Sequence, residues 1–254
     1  MADNNELHYY SGLSGIQLPV PKYKFPEEYQ KASRLAYYAT HFNSLEVNSS
    51  FYKIPMPVTI ARWSASVHDD FRFTFKLFRE ITHTKELKFD ASLVSGFLDV
   101  ISHIEMKKGC ILVQFPPGLT HEGTHHLQRI LDSLRNHDPG RSWNVAVEFR
   151  HKSWYTEETY EMLDAYGCAL VMHDMPASAS PFDVIDSAFV YVRFHGPTGN
   201  YRGSYSDLFL QEYAEYIQGW LQEGKKVYVY FNNTAGEAFN NLTTLNRYIS
   251  GLGR

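Results

Sequence analysis

The sequence predicts a single closed (β/α)8 TIM barrel spanning residues 1–254. Eight β-rich runs alternate with helical patterns along 254 residues, the usual length for eight strand-helix units closed on themselves. No low-complexity tract, charge block or Pro/Gly-rich linker divides the chain, so one domain is expected. The rival, an open doubly wound sheet, calls for a G-x-G-x-x-G turn after its first strand, and "GLSG" at Gly12 to Gly15 lacks that spacing.

The first run, "HYYSGLSG", is followed by a Pro-rich loop and a helix opening at Pro26, where a missing N–H costs nothing. Tyr29, Ala32, Leu35, Ala36, Ala39 and Phe42 share one face of that helix. "SLEVN" is the second run, and "SSFYKIPMP" leads from it to a short helix over 58–66. In the third, "FRFTFK", residues alternate, so Arg72, Thr74 and Lys76 face one way and the phenylalanines the other. Asp90 is an N-cap for a helix that turns Leu93, Val94, Phe97, Ile101 and Ile104 inward and stops at Gly109. "CILVQF", a helix over 124–136 and "WNVAVEFR" follow. Thr156 then caps a helix whose first turn is acidic, as the dipole favours, and Gly167 ends it. "CALVMH", "AFVYVRFHG" and "KKVYVYFNN" complete the eight, with helices over 207–223 and 237–250 after the last two.

Charge and composition narrow the function classes. With 24 basic and 28 acidic residues the net charge is -4, so no global basic field recruits nucleic acid or an anionic membrane, and only a local patch could. No run approaches the roughly 18–20 apolar residues of a membrane span. The opening "MADNNELHYY" lacks the basic-then-apolar order of a signal peptide, so a cytoplasmic protein is expected. Cys110 and Cys168 each lead into an apolar run and read as small core residues of a reducing compartment.

In a barrel of this kind the chemistry stands at the C-terminal strand ends. Those ends offer Glu46 and Asn48, Lys76, Gln114, Glu148 and Arg150, Arg193 and His195, and Asn232. Residues two apart share a strand face, so Glu46 with Asn48, Glu148 with Arg150, and Arg193 with His195 converge if those faces point inward. Leu45, Val47, Phe149, Val192 and Phe194 then pack outward. Arg150 and Arg193 present forks suited to phosphate or carboxylate, and Lys76 a point charge. The plain alternative is that these charges pair with one another across the rim. His151, Lys152, His173, Asp174 and the His125–His126 pair read as loop or helix surface.

Taken in order, "LEVNSSFY", "FRFTFK" with "THTKEL", "VQFPP", "VEFRHKSW", "YVRFHG" and "VYVYFNN" resemble the signatures of the YecE-like family, domain-of-unknown-function family 72, from about Ser11 to Leu245. The resemblance implies a TIM barrel and supplies no activity. It carries over Glu46, Asn48, Phe51, Tyr52, Lys76, His83, Gln114, Pro116, Pro117, Glu148, Arg150, His151, Trp154, Arg193, His195, Gly196, Asn232 and Asn233. Where relatives read G-T-S-G-W, this chain has Gly12, Leu13, Ser14, Gly15 and Ile16, so an aromatic wall near the first strand is absent.

The expected function is an enzyme that binds a small anionic substrate and moves a proton at the barrel mouth. Glu148 or Glu46 is the base and His195 the acid or orienting group. Arg150, Arg193 and Lys76 form the anion clamp, Asn48, Gln114 and Asn232 add polar contacts, and Tyr201 and Tyr205 stack on a base or sugar. Lys76 could also form a Schiff base if desolvated, although anion binding is the simpler role. One alternative is a metal-assisted phosphodiesterase or sugar isomerase built on Glu46, Glu148, His173, Asp174 and His195. Another is a non-catalytic nucleic-acid or metabolite-binding module. No organic cofactor motif, H-E-x-x-H, zinc-spaced cysteine pair or EF-hand loop occurs, so a divalent metal is the one cofactor left in view. Oligomeric state is left open.

Overall fold

The computed structural model describes residues 8–84, 88–182 and 187–252. Its strands are β1 (Tyr9–Ser14), β2 (Ser44–Val47), β3 (Arg72–Lys76), β4 (Lys108–Gln114), β5 (Asn144–Glu148), β6 (Cys168–Leu170), β7 (Met172–His173), β8 (Phe189–Phe194) and β9 (Lys226–Phe231). All pairs are parallel, in the order β6-β5-β4-β3-β2-β1-β9-β8-β7. The predicted run "CALVMH" is thus two short strands parted at Val171, whose N–H bonds to the Val147 carbonyl at 2.9 Å. Because β6 pairs with β5 and β7 with β8, the two ends of the sheet meet in one chain segment. The result is a TIM-barrel-like fold, nearly closed by hydrogen bonds and completed through this break.

Alternation sorts the strand residues into two cores. Leu13, Leu45, Val47, Phe73, Phe75, Ile111, Val113, Val145, Val147, Phe149, Val192, Phe194, Val229 and Phe231 face out into the layer beneath the helices. Cys110, Leu112, Ala146, Ala169, Phe189, Tyr191, Tyr228 and Tyr230 fill the barrel interior. At mid-height the interior turns polar: the Tyr230 hydroxyl lies 2.6 Å from Ser44 Oγ and 2.8 Å from Thr74 Oγ1. Gly12 lets β1 and β2 approach, since a Cβ there would lie 2.0 Å from the Ser44 carbonyl oxygen.

The helices are α1 (Glu27–Gln30), α2 (Arg34–Tyr38), α3 (Ser49–Tyr52), α4 (Pro57–Ala65), α5 (Arg79–Thr82), α6 (Ala91–Ser102), α7 (Thr124–His137), α8 (Glu157–Ala165), α9 (Asp207–Gln222) and α10 (Ala238–Leu252). Asp90 and Thr156 cap as expected, accepting from Ser92 N at 2.9 Å and Thr159 N at 3.4 Å. The single helix expected from Pro26 is instead two, because the chain leaves helical geometry and Ser33 caps a second start, accepting from Ala36 N at 3.0 Å. Gly109 does not stop α6, which ends at Ser102. It lies inside β4, where a Cβ would stand 2.8 Å from the Phe73 carbonyl oxygen. Among the described residues no helix lies between β7 and β8, so the sixth strand lacks the helix that strict alternation predicts.

Candidate active site at the barrel mouth

Three inward residues at the C-terminal strand ends form the centre of the site, and each is placed by strand periodicity. Glu46 stands on β2, Glu148 on β5 and Arg193 on β8, all essentially without solvent exposure. Arg193 donates from Nε to Glu46 Oε2 at 2.9 Å, and its two terminal nitrogens reach Glu46 Oε1 at 2.6 Å and Glu148 Oε2 at 2.5 Å. The same terminal nitrogens meet Ser14 Oγ at 3.5 Å and His195 Nε2 at 3.2 Å. A guanidinium has five N–H donors, and all five of these have acceptors. Arg193 therefore has nothing left for an incoming anion. The clamp role expected for it is not available to Arg193, which instead holds two carboxylates together across the barrel.

Glu46 also accepts from Ser14 Oγ and from the Tyr191 hydroxyl, each at 2.5 Å. Sequence reading missed both donors, although Tyr191 lies two residues before Arg193 and so shares its inward face. Glu148 pairs through its other oxygen with Arg150 Nε. Burial alone would raise the Glu148 pKa, yet Arg150 and Arg193 hold it well below the ordinary carboxylate value. It is a committed anion and a weak base.

His195 Nε2 lies within hydrogen-bond distance of two donors, Arg150 at 3.0 Å and Arg193 at 3.2 Å, with Glu148 Oε1 farther off at 3.8 Å, so it must accept. The ring proton then belongs on Nδ1, 3.4 Å from Asp174 Oδ1. Burial lowers the His195 pKa further, despite Asp174 and Glu148 pulling the other way. Of the two roles expected for His195, this geometry suits the orienting group. Asp174, expected on the surface, anchors this corner: it accepts from the His195 backbone N–H at 2.7 Å and from the Tyr205 hydroxyl. His173 is buried, with Nε2 2.9 Å from the Phe149 carbonyl, and His126 is buried in α7, so neither is the surface residue expected. Tyr205 is buried as well, its hydroxyl accepting from Gly196 N at 2.6 Å, which removes it as a stacking platform.

Around this closed network lies a second set of groups with open valences. Lys76 ends β3, half-buried, with Nζ 4.1 Å from the centre of the Phe51 ring and no hydrogen-bond acceptor among the described residues. Burial, and then the charge of Arg193, push its pKa down to about 8. Arg150 is buried; beyond Glu148, His195 and Met175 Sδ, one N–H on each terminal nitrogen has no partner among the described residues. Asn48 Oδ1 is buried without a hydrogen bond among the described residues. Gln114 lies beside Glu148 in register and donates to the Phe115 carbonyl at 2.5 Å. Burial and the charge of Lys76 lower His83 to about 4, and its ring stands edge-on to Phe51 at 4.8 Å. Tyr201 is partly exposed at φ 64, with its ring edge-on to His195 at 5.7 Å. Asn232 is buried at the end of β9, and no described contact joins its side chain to the network.

Two residues of "VEFRHKSW" fall elsewhere. His151 is exposed and bonds locally to Ser153 Oγ at 2.8 Å. Trp154 is fully buried, stacked on Phe149 at 4.5 Å, with its indole N–H on the Leu119 carbonyl. Lys85, Glu86 and Leu87 of "THTKEL" lie outside the described residues.

The donor set of the metal alternative does not fit a cation. Glu46 and Glu148 are engaged by guanidinium and hydroxyl donors, and His195 Nε2 by two guanidiniums. Among the described residues no group of three His, Cys, Asp or Glu side chains is arranged to hold a metal. Nor is any described helix long and apolar enough to cross a membrane.

Fold and site together define a parallel α/β barrel with its polar residues gathered at the C-terminal strand ends. Residues 10–251 match the model of the family described as protein of unknown function DUF72, and the chain belongs to that family. It is 32% identical over 143 residues to UPF0759 protein YecE of Escherichia coli, a match covering 56% of this chain and 51% of that protein. The match thus spans about half the length of that relative. UPF0759 protein YunF of Bacillus subtilis is 26% identical over 247 residues, covering 84% of each chain. The crystal structure of a DUF72 family protein from Enterococcus faecalis superposes with a TM-score of 0.78 at 23% identity, covering 97% of this chain and 99% of that one, which supports the fold.

Proposed function

We propose that the barrel mouth binds a small phosphate- or carboxylate-bearing substrate and carries out acid/base chemistry on it. The observation that carries this reading is Lys76, a half-buried ammonium with no carboxylate at ion-pair distance among the described residues, close enough to Arg150 to feel its charge, while Arg150 keeps N–H groups without partners among those residues. Two cations left open beside carboxylates that are already engaged favour an incoming anion. In this arrangement Arg193 with Glu46 and Glu148 is the rigid floor. His195 keeps Arg150 in place, and Asn48 and Gln114 line the rim. Lys76, with its pKa near neutrality, is the group best matched to proton transfer at working pH.

Calorimetric titration with inorganic phosphate and with small carboxylates tests this. A charge-assisted hydrogen bond is worth about 1.5–3 kcal/mol, so Lys76→Met should weaken binding by roughly 10- to 100-fold. Affinity should fall as pH rises through about 8, where Lys76 loses its proton, well below the ordinary lysine value. No small-anion binding, together with steeply salt-dependent binding of an oligonucleotide, would favour the nucleic-acid module instead.

A further inference from the structure

Among the described residues Lys76 and Lys107 are both drawn away from solvent, in surroundings that differ in kind. Lys107 Nζ donates to the Ser64 carbonyl at 2.7 Å and the Val67 carbonyl at 2.9 Å, next to the end of α4, and so acts as a fixed structural cation. Lys76 Nζ has no such acceptor among the described residues; it lies over the face of the buried Phe51 ring at 4.1 Å. The carboxylates that would otherwise hold it, Glu46 and Glu148, are taken by Arg193, Arg150, Tyr191 and Ser14. Strand alternation gives Lys76 the inward face it shares with Thr74, whose hydroxyl meets Tyr230 inside the barrel. Its amine thus stands at the mouth with its valences open, beside an arginine able to fix an anionic group.

We propose that Lys76 is a nucleophile that forms an imine with a small carbonyl compound bearing a carboxylate or phosphate, the anionic group resting on Arg150. This rests on the mouth being an anion site, and it deepens that reading by naming the bond made there. The neutral amine adds to the carbonyl carbon, forming a C–N bond while the carbonyl oxygen takes up a proton. The amine nitrogen gives up its protons as the hydroxyl departs, so amine and carbonyl become imine and water with no redox partner. The lowered basicity of Lys76 assists, since about a tenth of it is already neutral near pH 7. Phe51 gives the ammonium a cation–π contact in place of hydrogen bonds, and burial with the Arg193 charge still lowers its basicity.

The test is reductive trapping on the full chain, with pyruvate as the probe and sodium cyanoborohydride as the reductant, followed by peptide mass spectrometry. The expected result is a reduced adduct on Lys76 that forms at least tenfold faster than on exposed lysines. Inorganic phosphate should suppress it, and it should be missing from Lys76→Arg, whose circular dichroism should match the wild type. Adducts spread evenly over surface lysines would overturn the proposal, as would equal reactivity toward acetaldehyde, which lacks the anionic group. If phosphate binds and Lys76 stays unmodified, the imine is refuted while the anion site stands. If phosphate does not bind at all, both fall.

Discussion

Arg193 shows how much of this protein's chemistry is internal. Its five N–H groups meet Glu46 twice, then Ser14, Glu148 and His195, inside a barrel closed to water at that height. Removing one partner of such a set leaves buried carboxylates without a counter-charge, a loss of about 3–5 kcal/mol. Arg193→Met should therefore lower the denaturant midpoint sharply. Arg193→Lys should recover only part of it, because an ammonium keeps the charge and loses the planar fork. A lysine variant as stable as the wild type would show that the fork is not what holds the floor together. The polar residues of this site were legible in the sequence because each falls on a strand end at period two. Their division of labour was not. Nothing in the string "YVRFHG" reveals that Arg193 on β8 is saturated while Lys76 on β3 has no hydrogen-bond acceptor among the described residues. That depends on which strand faces bring acceptors within reach, a three-dimensional fact. Asp174 and His173 were read as surface for the same reason. His173 ends, and Asp174 follows, a run whose strand is broken at Val171, so the periodicity that sorts inside from outside gives no guidance beyond it.

At the scale of elements, turn chemistry and strand packing decide what the sequence shows. The caps at Asp90 and Thr156 were readable because an N-cap signal is local, resting on one side chain and an N–H two or three residues on. The break between α1 and α2 hid behind a continuous apolar face, and only the Ser33 cap marks it. Gly109 looked like a helix stop and proves to be a strand residue against Phe73. Gly12 is the sharper case. With a Cβ 2.0 Å from the Ser44 carbonyl, Gly12→Ala must force β1 from β2, at about 3 kcal/mol, the upper end of overpacking costs. The change would also displace Ser14, which holds Glu46. Thermal unfolding should show the loss. An alanine variant with an unchanged melting temperature would mean that the β1–β2 contact relaxes freely.

Taken whole, the molecule gathers its buried polar residues at the C-terminal strand ends, where parallel barrels that are enzymes keep their chemistry. The tyrosine-rich interior and the layer beneath the helices fix the strands, and the strands fix which side chains meet at the mouth. Family membership agrees with this fold and assigns no activity, so the function must be read from the mouth itself. On the function proposed, Lys76 and the N–H groups of Arg150 that are unpaired among the described residues together hold one small anion. The most direct measurement is a crystal soaked in a phosphate-like heavy oxyanion such as tungstate and examined by anomalous diffraction. The result predicted is one strong peak between Lys76 Nζ and the Arg150 guanidinium, lost in Lys76→Met crystals. A mouth without a peak, or one whose peak persists in that variant, would contradict it.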